Sequence, residues 1–288
     1  MLSYRHAFHA GNFADVHKHA AWLLGIRSLQ GKTAPFCLLD AYAGAGVYDL
    51  DAEAARKTGE WENGIGRLLE GENLPPALAA YRDAVREFNG RGRVTRCPGS
   101  PALAAMSLRE RDRLVCLELH PADHPALKSF LGRDSRVHVH RRDAREGLPA
   151  LLPPPEKRGL VLIDPPYEQA AEYSDVPKTI LAACARWSTG SYLLWYPLLA
   201  GNPHRPMLAA LADGGVSKML VQELLLFPDA PGLRGSGIAW INPPWQADAA
   251  LAETGDWLRR LGSPDAKALL DWRVPESASG SGAARRLQ

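Results

Sequence analysis

From residue 35 onward, short apolar runs rich in β-branched and aromatic residues alternate with longer stretches whose apolar positions recur at helical spacing. The runs 35–40 (PFCLLD), 114–119 (LVCLEL), 136–140 (RVHVH), 159–164 (GLVLID), 191–196 (SYLLWY), 217–227 and 237–242 (GIAWIN) predict seven strands. Helical periodicity covers 14–29, 75–89, 100–108, 122–131, 168–186, 204–213 and 246–261, the last introduced by Pro243-Pro244. Strands that alternate with helices predict an α/β domain, with a mostly parallel sheet covered on both faces.

Two segments break the rhythm. About 75 residues separate the first two strands, far more than a simple crossover needs, so 47–99 reads as an inserted helical lobe. At the other end, Ser277 to Ala284 (SASGSGAA) is small and polar and cannot offset its ordering entropy by burial. A domain over 1–276 and a disordered tail over 277–288 are therefore expected.

With 288 residues and 46% apolar content, the chain can bury a full α/β core. The polar, His-rich start is unlike a signal peptide and no run approaches a membrane span, so a soluble, cytoplasmic protein is expected, and it is taken to act as a monomer. Cys37, Cys97, Cys116 and Cys184 lie far apart without metal-ligand spacing, so neither a zinc site nor a disulfide framework is suggested. A net charge of +2 permits nucleic-acid binding without demanding it. The stretch holding Arg82, Arg86, Arg91, Arg93, Arg96, Arg109, Arg111 and Arg113 suits phosphate contact, with a solvated helix face and loop as the alternative.

Candidate chemistry lies at predicted strand ends. The first strand runs into Asp40-Ala-Tyr42-Ala-Gly44-Ala-Gly46, a carboxylate and a small-residue turn at the edge where open α/β sheets bind cofactors. It is neither G-x-G-x-x-G nor a P-loop, and by itself it is also an ordinary tight turn. Glu118, after the second strand, could accept both hydroxyls of a ribose. Asp143, after the third, could accept from an adenine amino group or cap the helix that follows.

After the fourth strand comes Asp164-Pro165-Pro166-Tyr167, which resembles the DPPY signature of methyltransferases acting on exocyclic amines of bases. An adenine N6 lone pair is delocalised into the ring, and two acceptors aimed at its two N–H bonds would perturb it. The Asp164 carboxylate and the Pro165 carbonyl would supply them, the prolines would stiffen the turn, and Tyr167 offers a ring for an extruded base. A rigid turn after a buried strand is the alternative. Asn242-Pro243-Pro244-Trp245 fits a looser form of the pattern, but the final strand of such a fold runs antiparallel and ends at the opposite edge, so it reads as a structural turn.

The amino terminus concentrates Tyr4, Arg5, His6, His9, Asn12, Asp15, His17, Lys18 and His19. A metal site lacks a supporting second cluster. Lys18 or His19 could meet a cofactor carboxylate, and Tyr4 and His6 could touch nucleic acid; ordinary surface polarity is the alternative for each.

Taken with Met1-Leu-Ser-Tyr4-Arg-His6, His9-Ala-Gly-Asn12, Asp15-Val, Lys18-His19, Ala43-Gly-Ala-Gly46, Pro98-Gly-Ser100-Pro, Glu118-Leu-His120-Pro and Leu194-Trp-Tyr-Pro197, the chain closely resembles the RlmJ family of bacterial 23S ribosomal RNA adenine-N6 methyltransferases over about residues 1–275. The resemblance implies a Rossmann-like class I fold using S-adenosyl-L-methionine, without a metal. It also implies cofactor contacts at His19, Ser100, Glu118 and Asp143, catalysis at Asp164, and a mobile amino-terminal segment whose Tyr4 meets the RNA. Tyr42 stands where the family often has His, and Ala144 where Gly is familiar, so backbone contacts are expected from both, and the Tyr42 ring is expected to stack or pack. Adenine-N6 methylation of DNA is the nearest rival, and a non-catalytic ribosome assembly factor the rival of another class. Against the latter, a retired site has no physical reason to keep Glu118, Asp143 and Asp164 along one sheet edge.

Overall fold

The computed structural model describes residues 6–275. Tyr4 and the tail expected over 277–288 lie outside the described residues. Helix α1 (Phe13–Gln30) opens the fold, its first amides at Ala14 and Asp15 capped by the Asn12 side chain. Then follow β1 (Cys37–Asp40), β2 (Val47–Asp49), α2 (Glu53–Thr58), α3 (Ile65–Glu70), α4 (Pro76–Asn89), β3 (Arg96–Pro98), α5 (Ser100–Ser107), β4 (Arg113–Leu117), α6 (Asp123–Leu131), β5 (Val137–His140) and α7 (Ala144–Leu151). The second half contains β6 (Gly159–Ile163), α8 (Glu172–Arg186), β7 (Ser191–Leu198), α9 (His204–Asp213), β8 (Met219–Leu225), β9 (Gly235–Ile241), α10 (Ala247–Leu258) and β10 (Lys267–Val274).

One eight-stranded sheet runs in the order β10-β8-β9-β7-β6-β1-β4-β5. From β5 to β7 the pairing is parallel, and β9 runs antiparallel to both β7 and β8. The carboxyl ends of β5, β4, β1, β6 and β7 therefore share one edge. The expected seven strands need correcting, because β10 adds an eighth, antiparallel to β8. It is an edge strand whose residues are all partly or fully exposed, so charged positions interrupt the apolar run by which the buried strands are recognised.

Each face of the sheet has its own core. One gathers Trp22 and Ile26 of α1 with Phe36, Leu114, Leu160 and Trp240, and the other gathers Val161, Ile180, Tyr192 and Leu211. Full burial of such an aliphatic or phenyl side chain contributes ~1.5–3 kcal/mol. Helix α1 packs tightly on the sheet at Gly25, where a Cβ would lie 2.4 Å from Leu160 Cδ2.

Between β1 and α5 the chain forms α2, α3 and α4, with β2 and β3 pairing antiparallel at the base, Val47 opposite Pro98. The arginine stretch is less available than its sequence suggests. Arg109 binds Asp112 and the Lys32 and Ala34 carbonyls, Arg113 binds Glu156, and Arg93 binds Asp51. Asn242 sits at the sheet edge opposite the shared carboxyl ends. It accepts from the Ser217 hydroxyl at 2.8 Å and donates to the carbonyls of Ser188 and Gly190, so it is a structural turn. Among the described residues no helix is long and apolar enough to cross a membrane.

Candidate active site

At the shared carboxyl edge lies a cavity of about 560 Å³, a size ordinary for a small-molecule site. Of the predicted site residues, His6, Lys18, His19, Tyr42, Gly44, Ser100, Glu118, Asp143, Ala144, Asp164, Pro165 and Tyr167 all line it.

Asp40 does not, which corrects its placement on the wall. It is fully buried behind the turn, where one oxygen accepts from the Tyr42 amide at 3.3 Å and the other has no hydrogen-bond partner among the described residues. Burial pushes its carboxyl up to about 7, with the neighbouring Ser100 side chain pulling down and the Asp164 charge adding to the rise. A strand-end acid faces the ligand only if the turn leaves it there, and here residues 41–44 pass in front.

The turn is pinned to the next strand. The Ala43 amide donates to the Leu117 carbonyl at 3.0 Å, and the Gly44 amide donates to Glu118 at 2.7 Å. Gly44 has φ +63°, and a Cβ there would meet the Tyr48 hydroxyl at 2.4 Å, so both backbone and space require glycine. Glu118 also accepts from the His120 amide at 2.6 Å. Burial raises its pKa against those two amides. Asp143 both caps α7, accepting from the Arg145 amide at 2.9 Å, and lines the cavity. The cavity thus meets carboxylates at the ends of β4 and β5 beside a close-approach glycine turn, a donor and acceptor set that fits an adenosyl group.

The opposite end of the cavity is built on charge. Lys18 of α1 lies 2.5 Å from Asp164 Oδ2 and 2.7 Å from Asp15 Oδ1, almost fully buried. Asp15 in turn binds His6 Nε2 at 2.9 Å and accepts from the Gly11 amide at 2.8 Å. Burial acts to lower the Lys18 pKa, but the two carboxylates outweigh it and hold the ammonium well above its ordinary value. Lys18 therefore sits in the Asp164 corner. His19 instead faces Tyr81, with its Nδ1 3.1 Å from the phenol oxygen.

Tyr167 closes that corner in a left-handed conformation, φ +51°, uncommon for a bulky residue and often associated with functional sites. Its hydroxyl donates to the Trp195 carbonyl at 3.0 Å, and its ring centroid lies 4.7 Å from that of Tyr173. Asp15 and Trp195 were not assigned roles from sequence. The spacing of Asp15 and Lys18, three apart on one helix, was the available signal for the first. Among the described residues no group of His, Cys, Asp and Glu is arranged to hold a metal ion.

Burial depresses His17 to about 4 and His19 to about 3. Each is neutral in the fold at pH values where the unfolded chain is protonated. Their contribution to stability is therefore fully present above about pH 6.5 and is lost as pH falls toward 4 and 3, with ~1.4 kcal/mol for every pH unit that separates the folded midpoint from the unfolded one. Histidine NMR titration is expected to show neither ring moving between pH 8 and 5; a midpoint near 6.5 for either would contradict its burial.

The family model described as ribosomal RNA large subunit methyltransferase D, RlmJ, matches residues 33–274. Ribosomal RNA large subunit methyltransferase J of Escherichia coli K12 is 44% identical over 280 residues, covering 96% of this chain and 100% of that protein. Its Haemophilus influenzae counterpart is 39% identical over 281 residues, with the same shares covered. The crystal structure of protein LPL1258 from Legionella pneumophila is similar, with a TM-score of 0.85 and 34% identity over 92% of this chain and 98% of that one. By sequence over nearly its whole length and by fold, the chain belongs to the RlmJ family of ribosomal RNA large subunit methyltransferases.

Proposed function

We propose that this protein transfers a methyl group from S-adenosyl-L-methionine to the N6 amino group of an adenine in 23S ribosomal RNA. The observation that carries this reading is Asp164 of the DPPY turn, held by Lys18 through Oδ2 at the end of the cavity away from Glu118 and Asp143. When bound, the cofactor supplies an electrophilic methyl on a sulfonium, so the chain needs neither a metal nor a covalent nucleophile.

Glu118, Asp143 and the Gly44 turn would hold the adenosyl group, with Ser100, His19, Tyr42 and Ala144 completing that wall. At the other end, Lys18 engages Asp164 Oδ2 and leaves Oδ1 to accept one N–H of the target amine. The Pro165 carbonyl accepts the other. Together they draw the nitrogen lone pair out of conjugation with the ring, and the amine later releases its surplus proton to water. Tyr167, fixed through its hydroxyl, offers an aromatic edge to the extruded base. His6 and Tyr4 are the residues we assign to contact with the RNA. The functional unit we assign is 1–276 with 47–99 as its insertion, acting in the cytoplasm as a monomer on a 23S RNA hairpin or assembly intermediate.

The test is transfer of labelled methyl to unmodified 23S RNA, 16S RNA and duplex DNA. Label confined to 23S RNA as N6-methyladenosine is expected. Label in DNA alone would keep the chemistry and overturn the substrate, and cofactor binding without transfer to any acceptor would favour an assembly factor.

A further inference from the structure

Behind the Asp164 corner runs a line of buried polar side chains that the chemistry above leaves unused. Trp195 Nε1 donates to Ser236 Oγ at 2.9 Å, Ser236 Oγ lies 2.9 Å from His17 Nδ1, and His17 Nε2 lies 2.9 Å from Gln222 Oε1. Gln222 ends the line by donating from Nε2 to the Leu251 carbonyl at 2.6 Å. His17, Gln222 and Ser236 are at most 1% exposed. The line joins α1, β8, β9 and β7 at one place.

Its polarity is dictated by valence. With the Gln222 nitrogen committed to Leu251, its oxygen can only accept, so His17 Nε2 carries the proton. The neutral ring then offers Nδ1 as an acceptor, the Ser236 hydroxyl donates to it, and Ser236 Oγ is left to accept from the indole, which can only donate. Burial keeps His17 neutral, as this arrangement requires. Every hydrogen has one place, so the indole is fixed in orientation as well as position.

Trp195 meets both Tyr167 of the DPPY turn and Lys18, the ion-pair partner of Asp164. Its carbonyl receives the Tyr167 hydroxyl, its ring centroid lies 6.1 Å from that of Tyr167, and the Lys18 ammonium sits 5.9 Å from it. Lys18 follows His17 directly on α1, so the relay anchors the helix that carries the ammonium and the indole beneath it. We propose that Trp195 is a positioning residue for methyl transfer: locked from behind by Ser236, His17 and Gln222, it holds Lys18 and Tyr167, and through Lys18 the Asp164 carboxylate, in the geometry that receives the base.

This inference rests on the proposed function, and its test separates the two. Trp195→Phe keeps a ring and the carbonyl but removes the indole N–H, and Ser236→Ala removes the acceptor. Each is expected to lower kcat on 23S RNA on the order of tenfold, the size of one lost hydrogen bond to a fixed group, with S-adenosylmethionine affinity by calorimetry unchanged. The double variant should be no slower than the slower single. In ¹⁵N spectra of the wild type, the Trp195 indole proton, assigned by its loss in Trp195→Phe, should resist exchange with solvent and become labile in Ser236→Ala. Turnover within twofold of wild type in both folded variants, or a freely exchanging Trp195 indole proton in the wild type, would overturn the inference. A protected indole in a wild-type protein that methylates no RNA would instead overturn the functional reading on which it rests.

Discussion

Asp164→Asn is expected to reduce methyl transfer to adenine by at least ~10²–10³-fold, the usual cost of removing one preorganised polar group from a reacting centre. The substitution keeps size and shape. It replaces an oxygen pair that can only accept with a carboxamide that offers an N–H, and it takes from Lys18 one of its two carboxylates. The proposed adenosyl-binding residues, Glu118, Asp143 and the Gly44 turn, belong to β4, β5 and β1 and are untouched. S-adenosylmethionine affinity measured by calorimetry should therefore stay within a few-fold of wild type. A variant that turns over normally would remove Asp164 from the chemistry, and one that loses cofactor binding and transfer together would place it on the wrong side of the cavity.

Lys18→Met should be the most destabilising of the changes considered. The ammonium is only 5% exposed and lies between buried Asp15 and partly buried Asp164, so its removal takes the cation from both carboxylates and leaves Asp15 with only His6 and the Gly11 amide. Breaking a buried pair in this way typically costs about 3–5 kcal/mol, which for a protein of this size corresponds to a fall in Tm of roughly 6–20 °C. Adding Asp15→Asn to Lys18→Met removes the buried carboxylate charge that the ammonium no longer faces, and the double variant should regain part of that loss. Differential scanning calorimetry of the two variants and the wild type provides the check. A Lys18→Met shift below about 2 °C, or a double variant less stable than the single, would mean that the ammonium is not the counter-charge for this corner.

The parts of the fold that sequence made legible are those buried on both faces. Strand β6 reads as GLVLI without interruption, and the pattern places it correctly because every one of its residues is buried. Strand β10 carries Lys267, Asp271 and Arg273 on an exposed sheet edge, and nothing in its periodicity distinguishes it from a loop. The site divides in a similar way. Glu118, Asp143 and Asp164 could be placed at one edge because parallel strands bring their carboxyl ends together, and the cavity lies among them. What the strand pattern could not reveal is which way a side chain turns. Asp40 occupies the expected strand end yet points behind the turn, and Lys18, a natural candidate for a cofactor carboxylate, is held by acids contributed from its own helix and from β6's end. The Trp195 relay joins residues more than 200 positions apart in the case of His17 and Ser236, so no local spacing announces it.

The most direct test of the account is nucleoside mass spectrometry of 23S RNA from a bacterial host deleted for its own relative of this protein and complemented with either the wild-type chain or Asp164→Asn. N6-methyladenosine restored in 23S RNA by the wild type and absent with the variant, at equal protein levels, is the predicted result. Its absence from 23S RNA with well-expressed wild-type protein, or its equal restoration by Asp164→Asn, would contradict the account.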